Sequence, residues 1–257
     1  MTDIKYPSIC DWETRIICGD RHNEINFWLE LANKYGSIIL ELGAGTGWIT
    51  IPLIRNNFQV YALDNSHEML NILKSSYLNS GCGGELHIIQ ANMRSFSLDT
   101  AIIDACLIPY SAFQYLLTAN DQIKCLHSIH KHLKPHGIIC LDLDNNILSP
   151  PDSMNFSKLY SEFNNDLQAQ ITMFTSWETE LISEIRTWQD YYKIEFSDGR
   201  LYDFINDISL KSVSMQKLKS LLEVAGFSII EILGDYYSHP YQRNSDRLII
   251  TAQKPYI

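Results

Sequence analysis

Three groups early in the chain have the types and spacing to act on one ligand. Glu41 is followed by Leu42 and then by Gly43-Ala44-Gly45-Thr46-Gly47, a turn of residues small enough for backbone to lie directly against a bound molecule. A carboxylate in front of such a turn would sit badly beside a pyrophosphate and suits a ligand that carries an ammonium group. Asp64 supplies a second carboxylate, able to accept from both hydroxyls of a ribose. Much later comes His239, the side chain best suited by chemistry to remove a proton near neutrality, since its reference pKa is about 6.5.

The elements that must hold these groups can be read from apolar periodicity. A helical pattern over 23–35 closes at Gly36, and Ile38, Ile39, Leu40 and Leu42 form an apolar run suited to a buried parallel strand interrupted by Glu41. Helical spacing over 48–56 follows the glycine turn, then a strand over 59–63 stops at Asp64. Ser66 stands where it caps a helix over 67–77. Strands over 86–90 and 101–108 come next, then a helix and an apolar strand after the turn 133–137. Strands alternating with helices in this way make a parallel, doubly wound sheet. The pattern changes after Pro150-Pro151: a helix-like segment over 155–164 is followed by alternating or aromatic runs over 170–177, 181–192 and 200–211, with Asp198-Gly199 as a hairpin signal. A helix over 214–225 and strands over 228–233 and 247–253 return to the core style.

Glu41 and the three glycines have the form E-x-G-x-G-x-G, which resembles motif I of the class I S-adenosylmethionine-dependent methyltransferases. A dinucleotide fingerprint would place its third glycine where Trp48 stands, so a nicotinamide oxidoreductase fits poorly. The Leu133-Lys134-Pro135-His136-Gly137 turn also resembles that family, which usually shows Pro-Gly-Gly there. The resemblance covers roughly 22–145 and 212–254 and implies a Rossmann-like α/β domain with a seven-stranded sheet. Within it, 22–147 and 212–257 are core, and 148–211 is a β-rich insertion after strand five, expected to cover the substrate. S-adenosylmethionine is the implied cofactor, with Glu41, Gly43, Ala44, Gly45, Gly47, Asp64, Asn65, Met69, Asn92, Met93 and Leu107 around it. An acidic residue commonly follows strand three in that family and binds the adenine amine. Asn92 occupies the position here, an acceptor without the charge, and its motivation for a catalytically silent binding protein is opposed by the intact Glu41, glycines and Asp64.

The acceptor is less legible. Tyr110 and His239 are the candidate catalytic residues, and Tyr6, Trp12, Phe113 and Tyr236 the candidate substrate contacts, each in a segment flanking the sheet. A net charge of −10 opposes partners held through phosphates, so no nucleic acid is expected and a small molecule fits better. Six cysteines without a C-x-x-C pair, and His127 with His130 lacking a carboxylate beside them, give no reason to expect a metal. No apolar segment of signal-peptide length opens the chain and no window of about 18 apolar residues spans a membrane, so a cytoplasmic protein is expected. Nothing in the sequence sets the oligomeric state.

Overall fold

The computed structural model describes residues 6–17, 21–81, 83–98, 103–148 and 151–256. In chain order the first elements are α1 (Tyr6–Trp12), α2 (His22–Tyr35), β1 (Ile38–Leu42), α3 (Thr50–Arg55), β2 (Gln59–Asp64), α4 (His67–Leu78) and β3 (Glu85–Gln90). There follow β4 (Ile103–Ile108), α5 (Ala119–His132), β5 (Leu133–Asp144), β6 (Ser153–Asn164), β7 (Ala169–Glu180), β8 (Ile185–Phe196) and β9 (Leu201–Lys211). The chain closes with α6 (Met215–Val224), β10 (Ser228–Leu233) and β11 (Arg247–Gln253). Two compact units result: Met1–Phe113, Thr118–Asn145 and Val213–Ile257 form one, and Gln114–Leu117 with Asn146–Ser212 form the other. Among the described residues no helix is long and apolar enough to cross a membrane.

The first unit carries a seven-stranded sheet in the order β10-β11-β5-β4-β1-β2-β3. Strands from β5 to β3 pair in parallel, while β11 runs against both β5 and β10. Ile39, Leu40 and Leu42 of β1 are buried, as a central strand covered on both faces demands. After β3 the chain returns to the other side of β1 and continues through β4 and β5, so the direction of winding reverses between β1 and β4. Open α/β sheets bind ligands outside the carboxyl ends of the strands at such a reversal.

Short polar devices fix the helices and strand ends. Ser66 accepts from Met69 N at 3.2 Å and caps α4, and Thr118 and Ser214 do the same for α5 and α6. Asp104 of β4 accepts from Ser37 N and Ile38 N, both at 2.9 Å, and pairs with Lys134, which ties the start of β1 to β4 and β5. Burial alone would raise this carboxyl's pKa, but Lys134 and the two backbone donors together lower it. The 133–137 turn lies within β5: His136 is left-handed at φ 64°, and the register with β4 shifts across it.

The second unit is an antiparallel sheet in the order β6-β7-β8-β9. Two expectations need correction here. The stretch 155–164 is the edge strand β6 and not a helix, because its backbone pairs along β7 while its apolar stripe stays largely exposed. Phe156, Leu159 and Phe163 remain 44%, 64% and 44% exposed. Residues 181–184 form the turn joining β7 and β8 and do not belong to a strand, whereas the Asp198-Gly199 hairpin stands as expected. The unit's interior is partly polar: Thr175 donates to the buried Asp190 at 2.7 Å, and the Tyr192 and Phe204 rings stack at 4.9 Å.

Candidate active site

Glu41 is 2% exposed near the end of β1, and its Oε2 accepts from Thr50 Oγ1 at 2.6 Å. Burial pushes its pKa up to about 8; the Thr50 hydrogen bond opposes the shift and Asp64 adds to it. This carboxyl is held mostly neutral until a cation approaches, a property that suits an ammonium-bearing ligand. Thr50, on the first turn of α3, fixes its orientation.

The glycine turn leaves β1 with Gly43, Gly45 and Gly47 all at positive φ, 75°, 54° and 96°. Their surroundings differ. A side chain at Gly43 would meet Ala112 Cβ at 2.6 Å, and one at Gly47 would collide with Leu73, so these two are small for packing. At Gly45 the nearest atom would be Gly43 O at 4.0 Å, leaving that face open for a ligand. Gly43 N and Ala44 N donate to Leu63 O, at 2.8 and 3.1 Å, and lash the turn to β2.

Asp64 ends β2 with Oδ2 accepting from Gly45 N and Oδ1 accepting from Ser66 N, both at 2.9 Å. One carboxylate thus orients the glycine turn and the start of α4 and keeps a lone pair on each oxygen for a pair of hydroxyls. Asn65 beside it is exposed, and Met69 lies half-buried on α4. Asn92 is exposed, and its Oδ1 already accepts from Arg94 N and Arg94 Nε, at 2.9 and 3.0 Å, so an adenine amine would share that oxygen with Arg94. Met93 is half-buried. Leu107 pairs in register with Glu41 but is wholly buried in β4, where it packs the sheet.

A second polar cluster stands at the same end of the sheet. Asp142 of β5 has no exposed surface; its Oδ2 accepts from Tyr110 N at 2.8 Å and Tyr236 OH at 2.6 Å, and its Oδ1 from Arg247 Nε at 2.7 Å. Arg247 also donates to Ser111 Oγ at 3.2 Å. Tyr110 is left-handed at φ 51° and 58% exposed, and its ring lies 4.3 Å from the Arg21 guanidinium and 5.9 Å from that of Arg247. Arg21 covers the Trp48 ring as well, at 5.3 Å. Burial, then the Asp142 charge, raises the Tyr236 pKa far beyond the usual phenol range, so its hydroxyl is a fixed donor to Asp142.

The remaining expected residues are dispersed. Phe113 is fully buried, and Tyr6 and Trp12 sit at the two ends of α1, which is anchored by the buried Ile9. His239 is 72% exposed, with Nδ1 2.8 Å from Asp235 Oδ2 in its own loop. Sequence reasoning missed Arg21, Glu24, Asp142 and Arg247. Asp142 had a signal of the same kind as Glu41, a lone carboxylate in the apolar run Ile138-Ile139-Cys140-Leu141 and Leu143.

A doubly wound sheet with a glycine turn at its reversal, flanked by a buried carboxylate and a second one at the end of β2, defines a nucleoside-binding α/β enzyme. Known proteins narrow this further. The chain matches the family described as Methyltransferase domain over residues 39–137. It is 25% identical over 256 residues to a glycine/sarcosine N-methyltransferase of Halorhodospira halochloris, covering 98% of this chain and 87% of that protein. A ubiquinone/menaquinone biosynthesis C-methyltransferase, UbiE of Vibrio cholerae, is 31% identical over 196 residues, 75% of this chain and 64% of its own. An S-adenosylmethionine-dependent methyltransferase structure from Clostridium acetobutylicum superposes with a TM-score of 0.81 at 16% identity, covering 98% and 99% of the two chains. The chain is a class I S-adenosylmethionine-dependent methyltransferase.

Proposed function

We propose that this enzyme methylates a nitrogen or oxygen of a small molecule, with Glu41, the 43–47 turn and Asp64 holding the donor. The observation that carries the donor side is the single carboxylate of Asp64 bonded to both Gly45 N and Ser66 N, which holds turn and helix at the mouth of the reversal. S-adenosylmethionine, when bound, supplies a methyl group already activated by its sulfonium. The chain's own task is placement, which can contribute on the order of 7 to 11 kcal/mol when the reacting atoms are held in line. In this reading the open face of Gly45 receives the methionine end, Glu41 ionises to meet its amine, and Asp64 takes the ribose hydroxyls. Asn65, Met69, Asn92 and Met93 surround the base.

The acceptor side falls to the Tyr110, Asp142, Tyr236 and Arg247 cluster, which holds its polar groups in fixed geometry next to the turn. Small-molecule methylation is supported by the acceptors that the relatives' names carry and by the acidic net charge of −10. Residues 148–211 lie outside the matched family region and are assigned to acceptor selection, with Tyr6 and Trp12. Calorimetry with S-adenosylmethionine, S-adenosylhomocysteine and NAD tests the donor. Binding of the first two with none of the third is the expected result; no binding of either sulfur ligand overturns the reading.

A further inference from the structure

Glu24 lies in the first turn of α2 and is 3% exposed. Its Oε2 pairs with Arg21, the residue before the helix, while its Oε1 has no hydrogen-bond partner among the described residues. Trp48 Nε1, in the ring that Arg21 covers, is also buried with no acceptor among the described residues. Buried polar atoms are normally paired, so an open acceptor and an open donor in one cluster point to a ligand that brings the complements of both. The cluster's position agrees: Trp48 directly follows the glycine turn, and Tyr110, also under Arg21, lies just past the end of β4.

The charges decide what kind of ligand. Arg21 is paired with Glu24 and Arg247 with Asp142, so the cluster is balanced, and its unused capacity next to Arg21 is a carboxylate oxygen. Burial, partly offset by Arg21 and reinforced by Asp142, raises Glu24's affinity for a proton. Such a group gains most from a charged nitrogen donor, roughly twice what a neutral hydroxyl would give.

We infer that Glu24 holds the nitrogen of the methyl acceptor, and that the acceptor is a small amine; this rests on the methyl-transfer reading above. The amine enters as an ammonium against Oε1 and passes one proton to Glu24. The freed lone pair forms the nitrogen–carbon bond as the carbon–sulfur bond breaks, its electrons remaining on sulfur. Glu24 gives its proton to solvent as the methylated ammonium departs.

Calorimetry on the full chain saturated with S-adenosylhomocysteine tests this with ethanolamine, sarcosine and glucosamine, each against its nitrogen-free counterpart: propanol, butyrate and glucose. At least one amine is expected to bind tenfold or more tightly than its counterpart, and Glu24→Gln to abolish that preference with S-adenosylhomocysteine affinity kept within twofold. No preference in any of the three pairs, or a preference that survives in Glu24→Gln, overturns the inference. Failure of the unmodified chain to bind S-adenosylhomocysteine overturns the methyl-transfer reading instead. Should Glu24→Gln not fold, the pH profile of amine binding to the unmodified chain decides. Arg21, Asp142, Arg247 and Tyr236 surround Glu24, whose own carboxyl pKa is raised chiefly by burial. Affinity rising as pH climbs above about 4.5 is expected, and a flat profile overturns the assignment.

Discussion

Glu41 has two effects that a single substitution separates. Its folded-state pKa of about 8 lies above the ordinary carboxylate value, so the folded protein binds the extra proton. The stability this contributes is fully present below about pH 4.5 and is lost as pH rises through 8. Glu41→Gln should remove that slope, flattening the pH dependence of unfolding by about 5 kcal/mol across the window, as measured by urea denaturation at a series of pH values. The same variant should also abolish proton release on S-adenosylmethionine binding, read by calorimetry in buffers of different ionisation enthalpy. Asp64→Ala should weaken cofactor binding by about 1.5 to 3 kcal/mol, the usual worth of hydrogen bonds to a charged group. An unchanged dissociation constant would mean that the ribose sits elsewhere. Glu41 was legible because it interrupts an apolar run just before the glycines, and Asp64 because it ends the next apolar strand run downstream of them. Arg247 was not, because its partner Asp142 is 105 positions away and nothing local in the polar stretch before the last strand marks the pairing.

Among the elements, the glycine turn offers a contrast between folding and binding. Gly47→Ala puts a methyl group into Leu73 at a positive φ of 96° and should lower stability by about 2 to 4 kcal/mol in thermal or denaturant unfolding. Gly45→Ala meets only open space, so about 1 kcal/mol of backbone strain is expected, yet it should impair S-adenosylmethionine binding by tenfold or more. Equal losses of stability in the two variants would contradict these separate roles. The parallel strands and their helices were readable from periodicity since burial on both faces leaves a continuous apolar run. Strand β6 was not: Phe156, Leu159, Tyr160 and Phe163 have helical spacing, and only pairing along β7, which no local pattern reports, makes the segment extended. The extent of α3 was overestimated for the opposite reason, because Trp48 and Ile49 have helical spacing but belong to the turn that precedes Thr50.

For the whole molecule, charge and topology act together. A net charge of −10 draws cationic ligands toward the surface before any contact forms. Association of S-adenosylmethionine, followed by stopped flow, should slow by about two- to fivefold between roughly 20 and 200 mM salt. A rate that rises with salt would show that the local field at the entrance opposes the global charge. The doubly wound parallel sheet could be anticipated from the alternation of elements, but its strand order and the grouping of Tyr110, Asp142, Tyr236 and Arg247 could not, since these depend on which strands become neighbours. Sheet order is a long-range property, and residues at strand ends acquire meaning only from it.

The antiparallel course of β11 has a consequence for the order in which the enzyme is made. Because that strand begins where its parallel neighbours end, Arg247 reaches Asp142 from the last of the seven sheet strands to be synthesised. Until then the nascent protein carries the Asp142 carboxylate in a half-built sheet without its counter-charge, a cost that disfavours premature closure. Synthesis of β11 is therefore the event that both completes the sheet and gives Asp142 its counter-charge, and chains arrested before it should remain open to proteases at β5.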